Sequence, residues 1–452
     1  MRLSNDSDDD ISSMCNLEFE LNQYLEKEGS TAYNVYPGVE MIDYDFTAER
    51  QNLYSTNVLE STAHLVKSCL GAGILGMHEA YMYGGLWTSL GLTVVVGFLV
   101  SYSMFMLVKS AQTMYGRLRV PRLSYPDLAE VAIATGPLKS CRRFSKAFRY
   151  LTDVFLFLNF NGTCCIFEIM IAQTLKQVLA SVTDYKLSMS ILILIITAPL
   201  IALCLIRSLK YLAPFSLVAD LIIVTCVLTT MYYSISVAAD LNKRPVWKST
   251  HGLLRFLGIC IYSINGIGVT LPIENNMRRP VYFRAVLQWG MPFVVTLVMI
   301  IGFFGYWAWG EQCRSPFTVH MPSNTILTIM QGFLTITLGV TFAVHFWVPF
   351  RIIWHYVGRN YKKRRGVWER LYRTVYVFMI SCLSIAFPNM SNWMSFLGNF
   401  FTAFLVFIFP AIMETMITWK EPRKLIFRLS LLKNVSLVLF GLFLGGGAFY
   451  SS

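Results

Sequence analysis

Charge is scarce in this sequence: of 452 residues only 14% are Asp, Glu, Lys or Arg, while 55% are hydrophobic. Soluble globular chains carry about 25% charged residues, so a freely soluble domain is excluded at the outset. The ten cysteines contain no C-x-x-C pair and no Cys/His spacing suited to zinc, and no metal site is expected. A phosphate loop, a nucleophile elbow and a metalloprotease motif are all missing, which argues against an enzyme. The apolar runs hold no pore-lining repeat of polar residues, which argues against a channel. The chain does not open on a basic n-region followed by an apolar h-region, so no cleaved signal peptide is read and the first span is expected to direct insertion.

What the chain has instead is a succession of apolar blocks near the 20 residues that an α-helix needs to cross a bilayer, such as "LWTSLGLTVVVGFLVSYSMFML" and "MSILILIITAPLIALCLI". The reading is an all-α integral membrane protein with eleven spans, near 57–83, 86–110, 148–180, 189–206, 211–238, 252–276, 284–308, 324–350, 371–387, 392–418 and 433–450. Residues 1–54 differ in kind. Their first fifty positions hold twelve acids against Arg2, Lys27 and Arg50, a net of −9 that leaves +21 on the remainder of the +12 chain. They read as a disordered acidic tail, with a cytosolic protein as its candidate partner.

The positive excess points to membrane topology rather than to nucleic acid. Alternate loops carry "GRLRVPRL" with "KSCRRFSKAFR", then Arg207 and Lys210, "MRRPVYFR", "GRNYKKRRGVWERLYR" and "KEPRK". By the positive-inside rule these are cytoplasmic, which puts the N-terminus in the cytosol and the C-terminus outside or in a lumen. Cys69, Cys164, Cys165, Cys204, Cys226, Cys260 and Cys382 fall inside spans. Only Cys313 faces the oxidising side, so no intramolecular disulfide is expected.

Two spans are interrupted. "GAGILGMHEA" at 71–80 crowds three glycines into six positions of the first, and "YSINGIGVTLPIEN" at 262–275 places Gly266, Gly268 and Pro272 in the sixth. Glycine inside a helix costs roughly 0.5–1 kcal/mol relative to alanine. The clusters either let neighbouring helices pack closely or open the backbone. The second reading fits transporters built from inverted repeats, which bind substrate where matching discontinuous helices meet. Five plus five spans, 57–238 and 252–418, with an eleventh appended, suit such a repeat. The expected site is then Ser68, Cys69, Gly71, Ala72 and Gly73, facing Tyr262, Ser263, Asn265 and Gly266. Amides of a half-helix starting near Gly73 to Leu75 would meet an α-carboxylate, and the carbonyls of residues 262–265 would meet an ammonium.

Acidic and imidazole groups inside spans are functional candidates by default. Glu168 and Asp220 are held as proton sites, Asp153 as structural, and His78 with Glu79 either as a polar outer gate or as residues solvated in a vestibule. Glu274 and Glu414 are expected to pair with Arg278 or Lys420.

The motifs "HLVKSCLGAGIL", "LNFNGTCCIFEIMIAQTLKQV", "GIGVTLPIENNMRRP" and "FWVPFRII" resemble the proton-coupled amino acid transporters of the amino acid/auxin permease group, from about Ser55 to the end. The resemblance implies a LeuT-like fold, co-transport of protons with small neutral amino acids, and residence in the plasma membrane or endolysosomal membranes. It also implies a proton-sensing role for His64, histidine being the residue type that changes charge near physiological pH; a neutral histidine bonded to a neighbouring helix is the alternative. The chain departs from the family in three places. His78 and Glu79 follow the first-span glycines where a proline is usual, and Asn265 stands where an acid is common. The loop around Ser181 to Ser188 lacks the cysteine that the family bridges to the loop after span seven. The function expected is secondary transport of small neutral amino acids by alternating access, with the proton as coupling ion and no bound cofactor. The rivals are an amino acid sensor with little flux and a sodium-coupled transporter.

Overall fold

The computed structural model describes residues 45–451 except 51–54, 70, 183–186, 207–208, 238–240, 242–243, 321–323, 359–360, 362–363 and 420–423; for 139, 209–220, 355, 424–427 and 449–451 only the backbone is described. Its secondary structure is helical, and an isolated bridge between Thr56 and Met277 is the one strand-like pairing among the described residues. The helices are α1 (Val58–Cys69), α2 (Met77–Gly84), α3 (Leu86–Leu118), α4 (Tyr125–Ala134), α5 (Ser145–Val182), α6 (Met189–Cys204), α7 (Leu209–Val237), α8 (Thr250–Ile264), α9 (Ile267–Asn276), α10 (Phe283–Trp309), α11 (Thr325–Val357), α12 (Arg365–Ala386), α13 (Met390–Leu397), α14 (Phe409–Thr418) and α15 (Lys424–Ser451). Among the described residues seven helical segments are long and apolar enough to cross a membrane, and two further apolar helices are shorter.

Polar residues at the helix starts explain several boundaries. Ser188 and Ser249 accept the N–H groups of Ile191 and Gly252 at the starts of α6 and α8, and Ser124 forms a capping box with Asp127 at the start of α4, each satisfying amides that have no partner in the helix ladder. α5 packs along α11, α4 and α6, while α8 packs against α2 and the segment 398–402. That segment and 404–408 are π-helical and join α13 to α14. Gly398 lets the π turn sit against α8, since a Cβ there would lie 1.8 Å from the Gly258 carbonyl oxygen.

The helix bundle has two ends. The tail face carries residues 45–50 and the loops 119–124 and 277–282; the far face carries the loops 244–249 and 310–320. Residues 1–44, the bulk of the acidic tail and any partner surface on it, lie outside the described residues. The tail's last stretch is docked. Phe46–Glu49 form a helical turn capped by Asp45, and Arg50 is buried on the tail face. Its guanidinium pairs with Glu274 at 3.1 Å and donates to the Glu274 carbonyl at 3.0 Å and to the Pro121 carbonyl at 2.8 Å. Gln112 and Tyr115 also donate to the Glu274 carboxylate, each at 3.1 Å. The expected Glu274–Arg278 pair is therefore corrected to Glu274–Arg50. Glu414 pairs with Lys433 at 2.6 Å; Lys420, its expected partner, lies outside the described residues. The Glu274 correction has a plain cause: helix packing brings a base from far along the chain to the carboxylate.

Candidate functional site

The first glycine cluster breaks the helix. α1 stops at Cys69, Gly71 is extended, and Ala72–Gly76 form a 3-10 turn that leads into α2 at Met77. The half-helix thus starts slightly earlier and more tightly wound than expected, because small residues tolerate the eclipsed side chains of a 3-10 turn. The three glycines do different work. Gly71 has nothing within 4 Å of where a Cβ would stand, whereas a Cβ on Gly73 would lie 2.5 Å from Ser263 Cα and one on Gly76 2.3 Å from Met394 Cε. Gly71 borders open space, and the other two permit close approach.

The second cluster breaks the other helix. α8 ends at Ile264 and α9 begins after Gly266. Asn265 turns its side-chain oxygen onto the Ile267 N–H at 2.9 Å, so the position is used to hold the break. A helix that ends at Ile264 leaves its last four carbonyls without ladder partners, and the turn at Ala72 leaves its first amides free.

Between the breaks lies a cavity of about 310 Å³. Ser68, Cys69, Gly71, Ala72 and Gly73 line it from one side and Tyr262, Asn265 and Gly266 from the other, with His64 toward the tail face. Ser263 is buried behind the wall, its hydroxyl donating to the Ile259 carbonyl. The remaining wall is largely apolar, with Phe160, Phe167, Met170, Leu338 and Val344 among its residues. Its basic lining residues are His64, Lys67 and His345; no carboxylate is present among the described lining residues. Lys67, His345, Asn159 and Thr163 escaped the sequence reading. Lys67 and His345 lie inside the quoted first-span motif and one residue before the quoted eighth-span motif, and a basic group on an apolar span was the available signal. His345 bonds the Thr341 carbonyl at 2.9 Å and rests against the Phe167 ring.

Glu168 does not line the cavity. It is fully buried on the other side of α5, where Ser381 and Ser384 of α12 donate to it at 2.5 and 2.8 Å and Thr197 of α6 lies 2.9 Å from Ser381. Asp220 lies on α7 among the residues whose side chains are not described. Asp153 receives the Tyr356 hydroxyl at 2.8 Å on the tail-face side.

His78 and Glu79 are not solvated, and that alternative is corrected: they are 0% and 9% exposed. The segment 313–320 folds down over them from the far face. His78 Nε2 donates to the Arg314 carbonyl at 2.9 Å, and Glu79 accepts from the Ser315 N–H and the Tyr83 hydroxyl, each at 2.8 Å. Phe317 and Thr318 of the same segment are themselves buried. Cys313 is a free, buried thiol whose Sγ lies 3.8 Å from the Gly305 carbonyl, and burial pushes it above the ordinary thiol range. The cavity is therefore covered on the far side, while His64 is exposed on the tail side.

Comparison with known proteins agrees with this geometry. The profile of a family described as transmembrane amino acid transporter protein matches residues 55–452. The chain is 31% identical over 415 residues to the proton-coupled amino acid transporter-like protein pathetic of Drosophila melanogaster, covering 89% of this chain and 87% of that one. It is 27% identical over 378 residues to the amino acid transporter ANT1 of Arabidopsis thaliana, covering 79% and 84%. Among solved structures, Mhp1 in an inward-facing conformation superposes with a TM-score of 0.59 at 11% identity, covering 88% and 92%, so the two share a helical transporter fold. A multi-pass helical chain with two interrupted helices around a cavity, matched by this profile over all but its tail, belongs to the transmembrane amino acid transporter family.

Proposed function

We propose that this protein is a secondary active transporter that moves small neutral amino acids together with protons into the cytosol. The carrying observation is the cavity at the meeting of the two helix breaks, lined by residues of both. A zwitterion matches it, since freed amides near Gly71 to Gly73 suit a carboxylate and the carbonyl end of α8 suits an ammonium. Lys67 adds a cation on the carboxylate side. A wall of aromatic and aliphatic residues with no carboxylate among the described lining residues favours neutral side chains over cationic ones.

In this reading the described helices make eleven crossings, arranged as two five-span repeats plus α15. The basic tail face lies in the cytosol, and the structure corresponds to a state open toward it. The first and sixth spans rock against the remaining spans to expose the cavity alternately. His64, exposed on the cytosolic side of the break, takes up and releases the proton. The membrane is the plasma membrane or an endolysosomal one.

The test is uptake of radiolabelled glycine, alanine and proline in a heterologous cell at external pH 5.5 and 7.5, with and without sodium. Uptake that rises in acid and ignores sodium is expected, and His64→Gln is expected to flatten the pH response by about tenfold. Uptake that follows sodium and not pH would replace the proton by sodium. A sensor reading shares the same cavity and draws support from Arg50, which ties the tail to the inner half of the sixth span through Glu274. Bound ligand without net accumulation would favour it.

A further inference from the structure

The covering segment 313–320 is held to the first span by an unusual set of groups. His78 is fully buried, and its Nδ1 has no hydrogen-bond partner among the described residues. Its Nε2 meets a carbonyl, Arg314 O, so Nε2 carries the hydrogen and Nδ1 is a bare lone pair. His320 takes the opposite role. Its Nε2 accepts the Arg314 N–H at 3.2 Å, a bond that exists only while that nitrogen is unprotonated. The His320 ring stacks on Trp309, with centroids 4.6 Å apart, and stands edge-on to His78 at 5.2 Å. Phe317 closes the other side of His78 at 5.0 Å. Two further orphaned hydroxyls, Ser315 Oγ and Thr318 Oγ1, lie in the same interface.

The charged and titratable surroundings leave one carboxylate at hand. Glu79 is already engaged by Ser315 N–H and Tyr83, and Arg255 lies over the Tyr83 ring. Glu311 on the far face is paired with Lys248 and receives the Tyr306 hydroxyl, and Arg244 sits over Tyr306. Arg314 is exposed beside His320. Cys313 is a neutral thiol.

We propose that His78 and His320 form a proton-binding site on the far side of the cavity, occupied only when the segment 313–320 has lifted, so that protons compete with closure of the far face. A proton added to His320 Nε2 removes the acceptor of the Arg314 N–H and places a cation beside a second histidine and an arginine. A proton added to His78 Nδ1 creates an N–H that nothing in the closed interface receives. Lifting the segment returns both rings to water. Burial, His78 and Arg314 together lower His320 to about 3 in the closed form, against about 6.5 in water. The sign follows: opening takes up protons, so the closed form is favoured above about pH 6.5 and lost progressively below it.

The inference rests on the transport reading only in treating closure as one of two states of the far face, and its test does not read flux. The native Cys313 is the reporter. The full-length protein in nanodiscs, carrying Trp247→Cys as an exposed reference on the far face, is labelled with a charged thiol reagent, and the modification rates of the two cysteines are measured by peptide mass spectrometry. Their ratio reports the open fraction, independent of the reagent's own pH response. Each histidine that binds a proton only on opening raises the ratio about tenfold between pH 7.5 and 5.5, so the parent rises about 100-fold. His320→Gln and His78→Gln each reduce the rise to about tenfold, and the pair abolishes it. Since His78→Gln touches a buried site, His320→Gln, only partly buried, carries the test alone if His78→Gln fails to fold. A flat ratio in the parent, a Cys313 that stays unreactive at every pH, or an undiminished rise in His320→Gln would overturn the proposal. Labelling that follows pH in a protein without amino acid accumulation would sink the transport reading and leave this one standing.

Discussion

Gly71 and Gly73 stand two positions apart and answer different physical demands, which makes them separable by experiment. A methyl group on Gly71 meets nothing within 4 Å, while one on Gly73 would lie 2.5 Å from backbone of the facing helix. Gly73→Ala is expected to cost about 1–3 kcal/mol, as overpacking does, seen as lowered thermal stability and poor surface expression. Gly71→Ala is expected to fold normally and to raise the KM for amino acid uptake about tenfold, the loss of roughly 1.4 kcal/mol of contact. Equal stability losses in the two variants would contradict the assignment. The glycine clusters were legible in sequence as one signal with two explanations, and both turn out to apply, residue by residue. His78 and Glu79 were legible either as a polar outer gate or as residues solvated in a vestibule, with nothing in the chain to choose between the two. What covers them is 313–320, a segment with no helical or strand period to read, so their burial could not be seen in the chain.

At the scale of elements, the apolar blocks and the two breaks were readable because a bilayer imposes length and glycine imposes cost. The contacts between elements were not. Arg50 reaches Glu274 across 224 positions, and nothing local to either residue announces the pair; a run of twelve acids in the same tail hides the one base that matters. The pair is 1% and 0% exposed, so it belongs to the class in which removing one partner is costly. Arg50→Met is expected to destabilise the protein by about 3–5 kcal/mol, because the Glu274 carboxylate stays buried without its cation. Arg50→Met combined with Glu274→Met is expected to recover most of that loss. Thermal unfolding in detergent compares the three proteins. A double variant no better than the single would mean that the tail's docking depends on the packing of Phe46 and Arg50 against Tyr115 rather than on the charge pair.

At the scale of the whole molecule, the far face is closed by neutral histidines and the other end of the cavity is lined by a third, exposed histidine. His64 sits on the tail side of the break, and His78 and His320 sit beyond it. Acid on the far side would thus favour opening there, and under the proposed function His64 would be the group that hands the proton on toward the tail face. The energetic limit of such coupling is fixed by the gradients alone. One charge crossing 90 mV supplies about 2 kcal/mol, and one pH unit about 1.4 kcal/mol. Together these permit roughly 300-fold accumulation of a neutral zwitterion, since each 1.4 kcal/mol is a factor of ten. Proteoliposomes with an imposed inside-negative potential and an acidic exterior should approach that ratio and fall to about tenfold when the potential is collapsed and the pH step kept. Accumulation that survives removal of both gradients, or that never exceeds equilibration with both in place, would show that protons do not drive the cycle.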